Sequence, residues 1–138
     1  MAIKITTLEK PISAVIADDS IIIRTLFSQV IENDPRFELK GSFVNGLELM
    51  NFMKGIKKSP VVCILDIMMP VCDGLETIKC LRSKYNDTIV YGYTSLYVDP
   101  AIDQMYEYGA LEVFFKHDHY FDDILDNLYN RWIIMSHS

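Results

Sequence analysis

Five polar residues stand at the ends of four apolar runs. Asp18 and Asp19 follow Ile12-Ser13-Ala14-Val15-Ile16-Ala17, and Asp66 follows Val61-Val62-Cys63-Ile64-Leu65. Thr94 follows Thr88-Ile89-Val90-Tyr91-Gly92-Tyr93, and Lys116 follows Val113-Phe114-Phe115. Three carboxylates brought together repel and raise one another's pKa. A hard divalent cation removes that cost, and Mg²⁺ takes oxygen ligands while keeping some of its waters. A lysine offsets the remaining charge and can contact a phosphoryl oxygen, and a threonine hydroxyl can donate to the same group. A carboxylate can itself attack phosphorus and hold the phosphoryl group as an acyl phosphate. The set therefore has the parts that phosphoryl transfer requires: a metal site, a cation, a donor and an acceptor.

The elements carrying these residues alternate between short apolar runs and amphipathic stretches. After the first run, Ser20 can cap a helix whose apolar positions Ile21, Ile22, Leu26, Phe27, Val30 and Ile31 recur at helical spacing, with Asn33-Asp34-Pro35 as the stop. Phe37 to Val44 reads as a second strand and Asn45-Gly46 as a turn. A second helix then runs through Leu47, Leu49, Met50, Met53 and Ile56 to end near Ser59-Pro60. The third run is continuously apolar, as a central parallel strand buried on both faces should be. A loop, Met68 to Gly74, leads to a third helix through Leu75, Ile78 and Leu81. Asp99-Pro100 opens a fourth, which Gly109 ends, and the last helix spans about Phe121 to Ile134. Five β-α pairs in strict alternation predict an α/β fold: a flavodoxin-like, doubly wound (βα)5 parallel sheet in the order 2-1-3-4-5, with right-handed crossovers. Sites in such sheets form beyond the carboxyl ends of the strands, where the strand order switches, and that is where the five polar residues fall.

The 138 residues suit one domain, with its core at about 12–135. Half of the residues are hydrophobic and 23% charged, in the range of a soluble globular protein. The net charge of −6 and the lack of a Lys/Arg-rich arm argue against nucleic acid and anionic lipid as partners. No apolar run approaches the ~18 residues that span a bilayer, and the start, Met1 to Thr6, lacks the pattern of a signal peptide. A cytoplasmic location follows as the expectation. Cys63, Cys72 and Cys80 have neither disulfide nor zinc spacing; Cys63 is expected in the core and Cys72 in a loop.

From about Ser13 to Met135 the chain resembles a response-regulator receiver domain of two-component signalling. The resemblance rests on Asp18-Asp19, Leu65-Asp66-Ile67-Met68-Met69-Pro70 with Asp73-Gly74, Thr94-Ser95, Gly109-Ala110 and Lys116, in that order and at those strand ends. It implies that Asp66 accepts a phosphoryl group. It also implies that Asp19, Asp66 and the backbone carbonyl of Met68 bind Mg²⁺ (or Mn²⁺) with help from Asp18. Thr94 would bond the phosphoryl group and Lys116 would pair with it. The implied partners are a sensor histidine kinase or histidine phosphotransfer protein as donor, and a downstream protein target. The face made by the fourth helix, fifth strand and fifth helix is the family's usual output surface and a candidate homodimer surface for this chain; Tyr97, Tyr106, Tyr108, Tyr120 and Tyr129 are expected on it.

The chain departs from the family pattern in two places. His117 stands where proline usually follows the lysine, and Val113 stands where a switch Tyr or Phe is usual. Tyr91, Tyr93 and Phe114 are either substitutes for that aromatic or core packing, and His117 and His119 read as exposed loop histidines. Met68 and Leu96 occupy the two positions that set phosphoryl lifetime in the family; both are apolar and cannot orient a water, so slow hydrolysis is expected. Two other readings fit parts of the pattern. A degenerate receiver would keep the fold as an interaction module without reacting. A Mg²⁺-dependent aspartate-nucleophile phosphatase would need an aspartate where Met68 stands. The polar tail Ser136-His137-Ser138 leads to the expectation of a stand-alone receiver, with a fragment of a longer protein as the alternative.

Overall fold

The computed structural model describes residues 10–56, 62–95, 100–118 and 120–136. Ten elements alternate: β1 (Ile12–Ala17), α1 (Ile21–Glu32), β2 (Phe37–Phe43), α2 (Gly46–Gly55), β3 (Val62–Asp66), α3 (Gly74–Lys84), β4 (Ile89–Thr94), α4 (Pro100–Glu107), β5 (Glu112–Phe115) and α5 (Phe121–Ser136). The five strands form one parallel sheet in the order β2-β1-β3-β4-β5, as expected from the alternation. β1, β3 and β4 are inner strands, and β3 and β4 are buried at every position, which accounts for their unbroken apolar sequence.

Residues alternate along each strand, so the sheet feeds two cores. Ala14, Ile16, Ile64, Tyr91, Tyr93 and Phe114 join Phe27 and Ile31 of α1 and Ile124, Leu125 and Leu128 of α5. Val15, Cys63, Leu65, Val90 and Val113 join Leu49, Met50 and Met53 of α2, Ile78 and Leu81 of α3 and Met105 of α4. Tyr91, Tyr93 and Phe114 are thus packing residues: the Tyr91 and Phe114 rings stack at 5.7 Å, and the Tyr91 hydroxyl donates to Asn127 Oδ1 at 3.0 Å. Burial pushes the Cys63 thiol up to about 12, leaving an inert core residue.

The helix boundaries follow their caps. Ser20 caps α1, accepting from the Ile23 N–H, and Asp73 and Glu76 form a capping box on α3. Asn45 is not a free turn residue: it caps α2, accepting from the Glu48 N–H at 2.9 Å, so the helix begins at Gly46. α2 ends at Gly55, while Ser59 and Pro60 lie outside the described residues. The buried stripe of α1 also differs from the expected one. Ile21, Ile22 and Leu26 are exposed, and Phe27 and Ile31 face the sheet with Ile23 and Val30 partly covered. Arg82 of α3 ties the far end of the sheet together, donating to the carbonyls of Asn86, Thr88, Tyr108 and Gly109. On the edge strand, the Val113 N–H donates to the Tyr106 hydroxyl of α4 at 2.9 Å.

One segment of the loop between β3 and α3 is strained. The Cys72 N–H bonds the Pro70 carbonyl at 2.7 Å and closes a three-residue turn on Val71, whose φ is 70°. A β-branched residue is a genuine outlier in that region, and its side chain is 75% exposed, so no packing compensates. Left-handed backbone costs ~1–2 kcal/mol for a residue with a Cβ, more than the ~0.5–1 kcal/mol that glycine's greater freedom in the unfolded chain takes back. Val71→Gly is therefore expected to raise the unfolding free energy by up to about 1 kcal/mol, read as a higher urea midpoint at unchanged slope.

Candidate functional site

The carboxyl ends of β1 and β3 lie side by side, with Ala17 opposite Leu65. β3 and β4 are likewise in register, with Asp66 opposite Tyr93. Asp18 and Asp66 are buried and Asp19 is exposed, and one carboxylate oxygen from each lies within 4.8 Å of the others. Lys116 joins them from the turn after β5, where its N–H donates to the Thr94 carbonyl at 2.8 Å. Its Nζ stands 2.7 Å from Asp18 Oδ2 and 3.2 Å from Asp66 Oδ2. Thr94 is fully buried. It follows Tyr93, which faces α1 and α5, so strand alternation turns Thr94 toward the opposite face. Met68 is largely exposed, and its N–H donates to Asp66 Oδ1 at 3.3 Å.

Several supporting contacts emerge only in the folded structure. The Ser20 N–H donates to Asp18 Oδ1 at 2.8 Å, and Arg24 Nη1 to the Asp18 carbonyl at 2.8 Å. Gly74 packs so closely that a Cβ there would come 2.5 Å from the Asp66 carbonyl oxygen, so only glycine lets α3 start against the strand end. Below the carboxylates, a crevice lined by Ile16, Ile23, Phe27, Ile64 and Tyr93 has no room for a water.

Burial on this dry floor, with the Asp18 charge beside it, pushes Asp66 up to about 7; Lys116 and the Met68 N–H pull the other way and do not prevail. Burial works against the Lys116 ammonium, but Asp18 and Asp66 outweigh it and hold its pKa above the ordinary lysine range. The Lys116 ammonium pairs with Asp18 Oδ2 at 2.7 Å, and a carboxylate oxygen so paired still has a second lone pair to offer. An all-oxygen donor set with spare acceptor capacity and uncompensated negative charge suits a hard divalent cation.

Residues 14–126 match the model of the response regulator receiver domain. The chain belongs to that family. It is similar to a protein-glutamate methylesterase/protein-glutamine glutaminase of Clostridium acetobutylicum, 35% identical over 85 residues, covering 62% of this chain and 24% of that protein. A Methanosarcina barkeri protein of the same description is 34% identical over 109 residues, covering 77% of this chain and 29% of that protein. The chain thus spans about a quarter of the length of these curated relatives. Among solved structures, the response regulator domain of Thermotoga maritima CheB superposes with a TM-score of 0.72 at 24% identity, covering 88% of this chain and 93% of that one. This receiver domain is a signalling module with the flavodoxin-like sheet its sequence predicts. Among the described residues, no helix is long and apolar enough to cross a membrane.

The raised Asp66 pKa has a consequence for stability. Unfolded, the carboxyl titrates near 3.8; folded and metal-free, near 7. Between those values the folded chain holds a proton that the unfolded chain has released, so this group's contribution to stability falls as pH rises. The metal-free protein is expected to lose stability from pH 4 to pH 7 more steeply than its Asp66→Asn variant, measured by urea unfolding in chelator. Parallel pH profiles would contradict the assignment.

Proposed function

We propose that Asp66 is the phosphoacceptor, taking a phosphoryl group from a phosphohistidine on a kinase or phosphotransfer protein. The reading is carried by one observation: a buried carboxylate with an ammonium 3.2 Å away and two further carboxylates beside it. An Asp66 oxygen attacks phosphorus and the phosphorus–nitrogen bond of the donor breaks; its electron pair stays with the donor ring, which is protonated at its other nitrogen and so leaves as neutral imidazole. Asp18, Asp19, Asp66 and the Met68 carbonyl would hold Mg²⁺ or Mn²⁺, whose role is to neutralise charge on the transferring oxygens. Lys116 pairs with a phosphoryl oxygen, and Thr94, turned toward the other face of β4, moves to donate its hydroxyl to another. The dry floor under Asp66 limits water access from that side.

The output is a change of shape read by a protein partner in the cytoplasm, and the face formed by α4, β5 and α5 is the surface we assign to it or to a homodimer. Tyr106 and Tyr108 are exposed on or next to α4 and Tyr120 just before α5, while Tyr97 lies outside the described residues. Methylesterase is the activity named for the curated relatives above, and the matched region here is the receiver part alone. The chain's own chemistry in this reading is limited to gaining and losing the phosphoryl group.

Incubation with a small phosphodonor and Mg²⁺ is expected to add a single phosphate to the wild type, seen by intact mass, and none to Asp66→Ala. An unmodified wild type would instead favour a receiver that works without phosphorylation. Met68 is exposed and apolar at the acceptor, and Leu96 lies outside the described residues. The double variant Met68→Asn, Leu96→Glu should release phosphate faster than wild type. Equal decay rates would remove these positions from the control of lifetime.

A further inference from the structure

Lys116 has to keep its place under two opposed demands. Its present partners, Asp18 and Asp66, are also the residues that would hold a divalent cation. Once they do, their pull on the ammonium is shared with a stronger charge. The turn 116–118 continues into His117 rather than a rigid proline. A hold on the ammonium that does not pass through the carboxylates is therefore needed, and the fold contains one. The Tyr93 ring lies with its centroid 5.3 Å from Lys116 Nζ, inside the ~6 Å reach of a cation–π contact.

The ring is itself fixed from behind. Tyr93 is 3% exposed, packs edge-on against Phe27 at 5.6 Å and tilts on Phe121 at 6.0 Å; Phe27 and Phe121 stack on each other at 4.4 Å. Strand pairing sets its height, since Tyr93 is opposite both Asp66 of β3 and Phe114 of β5, two residues before Lys116. Strand alternation therefore brings Tyr93, Asp66 and Lys116 to the same face of the sheet.

We propose that Tyr93 is the positioning residue for Lys116, its aromatic face holding the ammonium over the Asp18–Asp66 pair independently of whether those carboxylates bind a cation. The proposal rests on Lys116 being the counter-charge of the phosphoryl group, as set out above. It assigns the function to the ring and not to the hydroxyl.

The test uses the full chain with a small phosphodonor and Mg²⁺, following phosphate incorporation by intact mass. Tyr93→Phe should react at close to the wild-type rate and Tyr93→Leu on the order of 3- to 30-fold more slowly, the range that losing a cation–π contact implies. Because Tyr93→Leu also opens a gap beside Phe27, the deciding series places phenylalanine, 4-fluoro- and 3,4,5-trifluorophenylalanine at 93, which keeps ring shape while draining the face of negative charge. A rate that falls stepwise with fluorination, together with loss of the ring-current shift on the Lys116 side-chain protons in Tyr93→Leu alone, supports the role. A rate flat across the fluorinated series, or an unshifted Lys116 in the wild type, overturns it. If the wild type itself takes no phosphate, the phosphoacceptor reading fails, and the Lys116 shifts still decide the contact.

Discussion

The energetic centre of this domain is a like-charge contact that the fold creates and does not resolve by itself. Asp18 and Asp66 arrive from neighbouring strands over a crevice too narrow to admit a water, and a single ammonium stands between them. One positive charge cannot satisfy two buried carboxylates and a third close by. The excess shows as an Asp66 whose proton is held to about neutral pH. Stability is given up here, and any group that brings positive charge or spreads negative charge away from the carboxylates would recover it. The rest of the structure can be understood as the support for that arrangement, with inner strands fixing the carboxylates and Gly74 letting α3 close under Asp66.

Much of this was legible in the sequence because it is encoded locally. β1 matches its apolar run residue for residue, and Asp66 ends β3 where the run stops. Ser20 announces the start of α1 and Pro100 that of α4. The site residues were legible for the same reason, since a strand end is visible as the point where apolar sequence turns polar. What escaped is set by three-dimensional context. Ile21, Ile22 and Leu26 fit a helical stripe as well as the true one does, and only the position of the sheet decides for Phe27 and Ile31. Asn45-Gly46 carries turn chemistry that serves equally as a helix cap. Tyr93 looked like packing and does pack, but its contact with Lys116 depends on the register between β4 and β5, which no local pattern contains.

Of the two departures from the family pattern, Val113 lies within β5 and His117 in the turn that follows it. Val113 lines the core on the α2–α4 side against Gly92, where a Cβ would meet its methyl groups at 3.0 Å. Small and branched, Val113 fills this space without a ring that could swing between inside and outside. Next to β5 the rings sit instead on the opposite face, in Tyr91, Tyr93, Phe114, Phe27 and Phe121. Rigid aromatic packing on one face, and a short aliphatic residue opposite Gly92 on the other, is the division of labour this sequence adopts.

The bond between the Tyr106 hydroxyl and the Val113 N–H has a consequence for how such a domain behaves at high concentration. β5 is an outer strand of only four residues, and unsatisfied amides on an outer strand invite a neighbour's backbone to continue the sheet. A phenol from α4 already occupies one of those amides. Continuing the sheet past β5 would first require prying a helix side chain off its own margin. The domain is thereby guarded on that flank against fibre-like stacking, and any assembly there is steered toward contacts between helices.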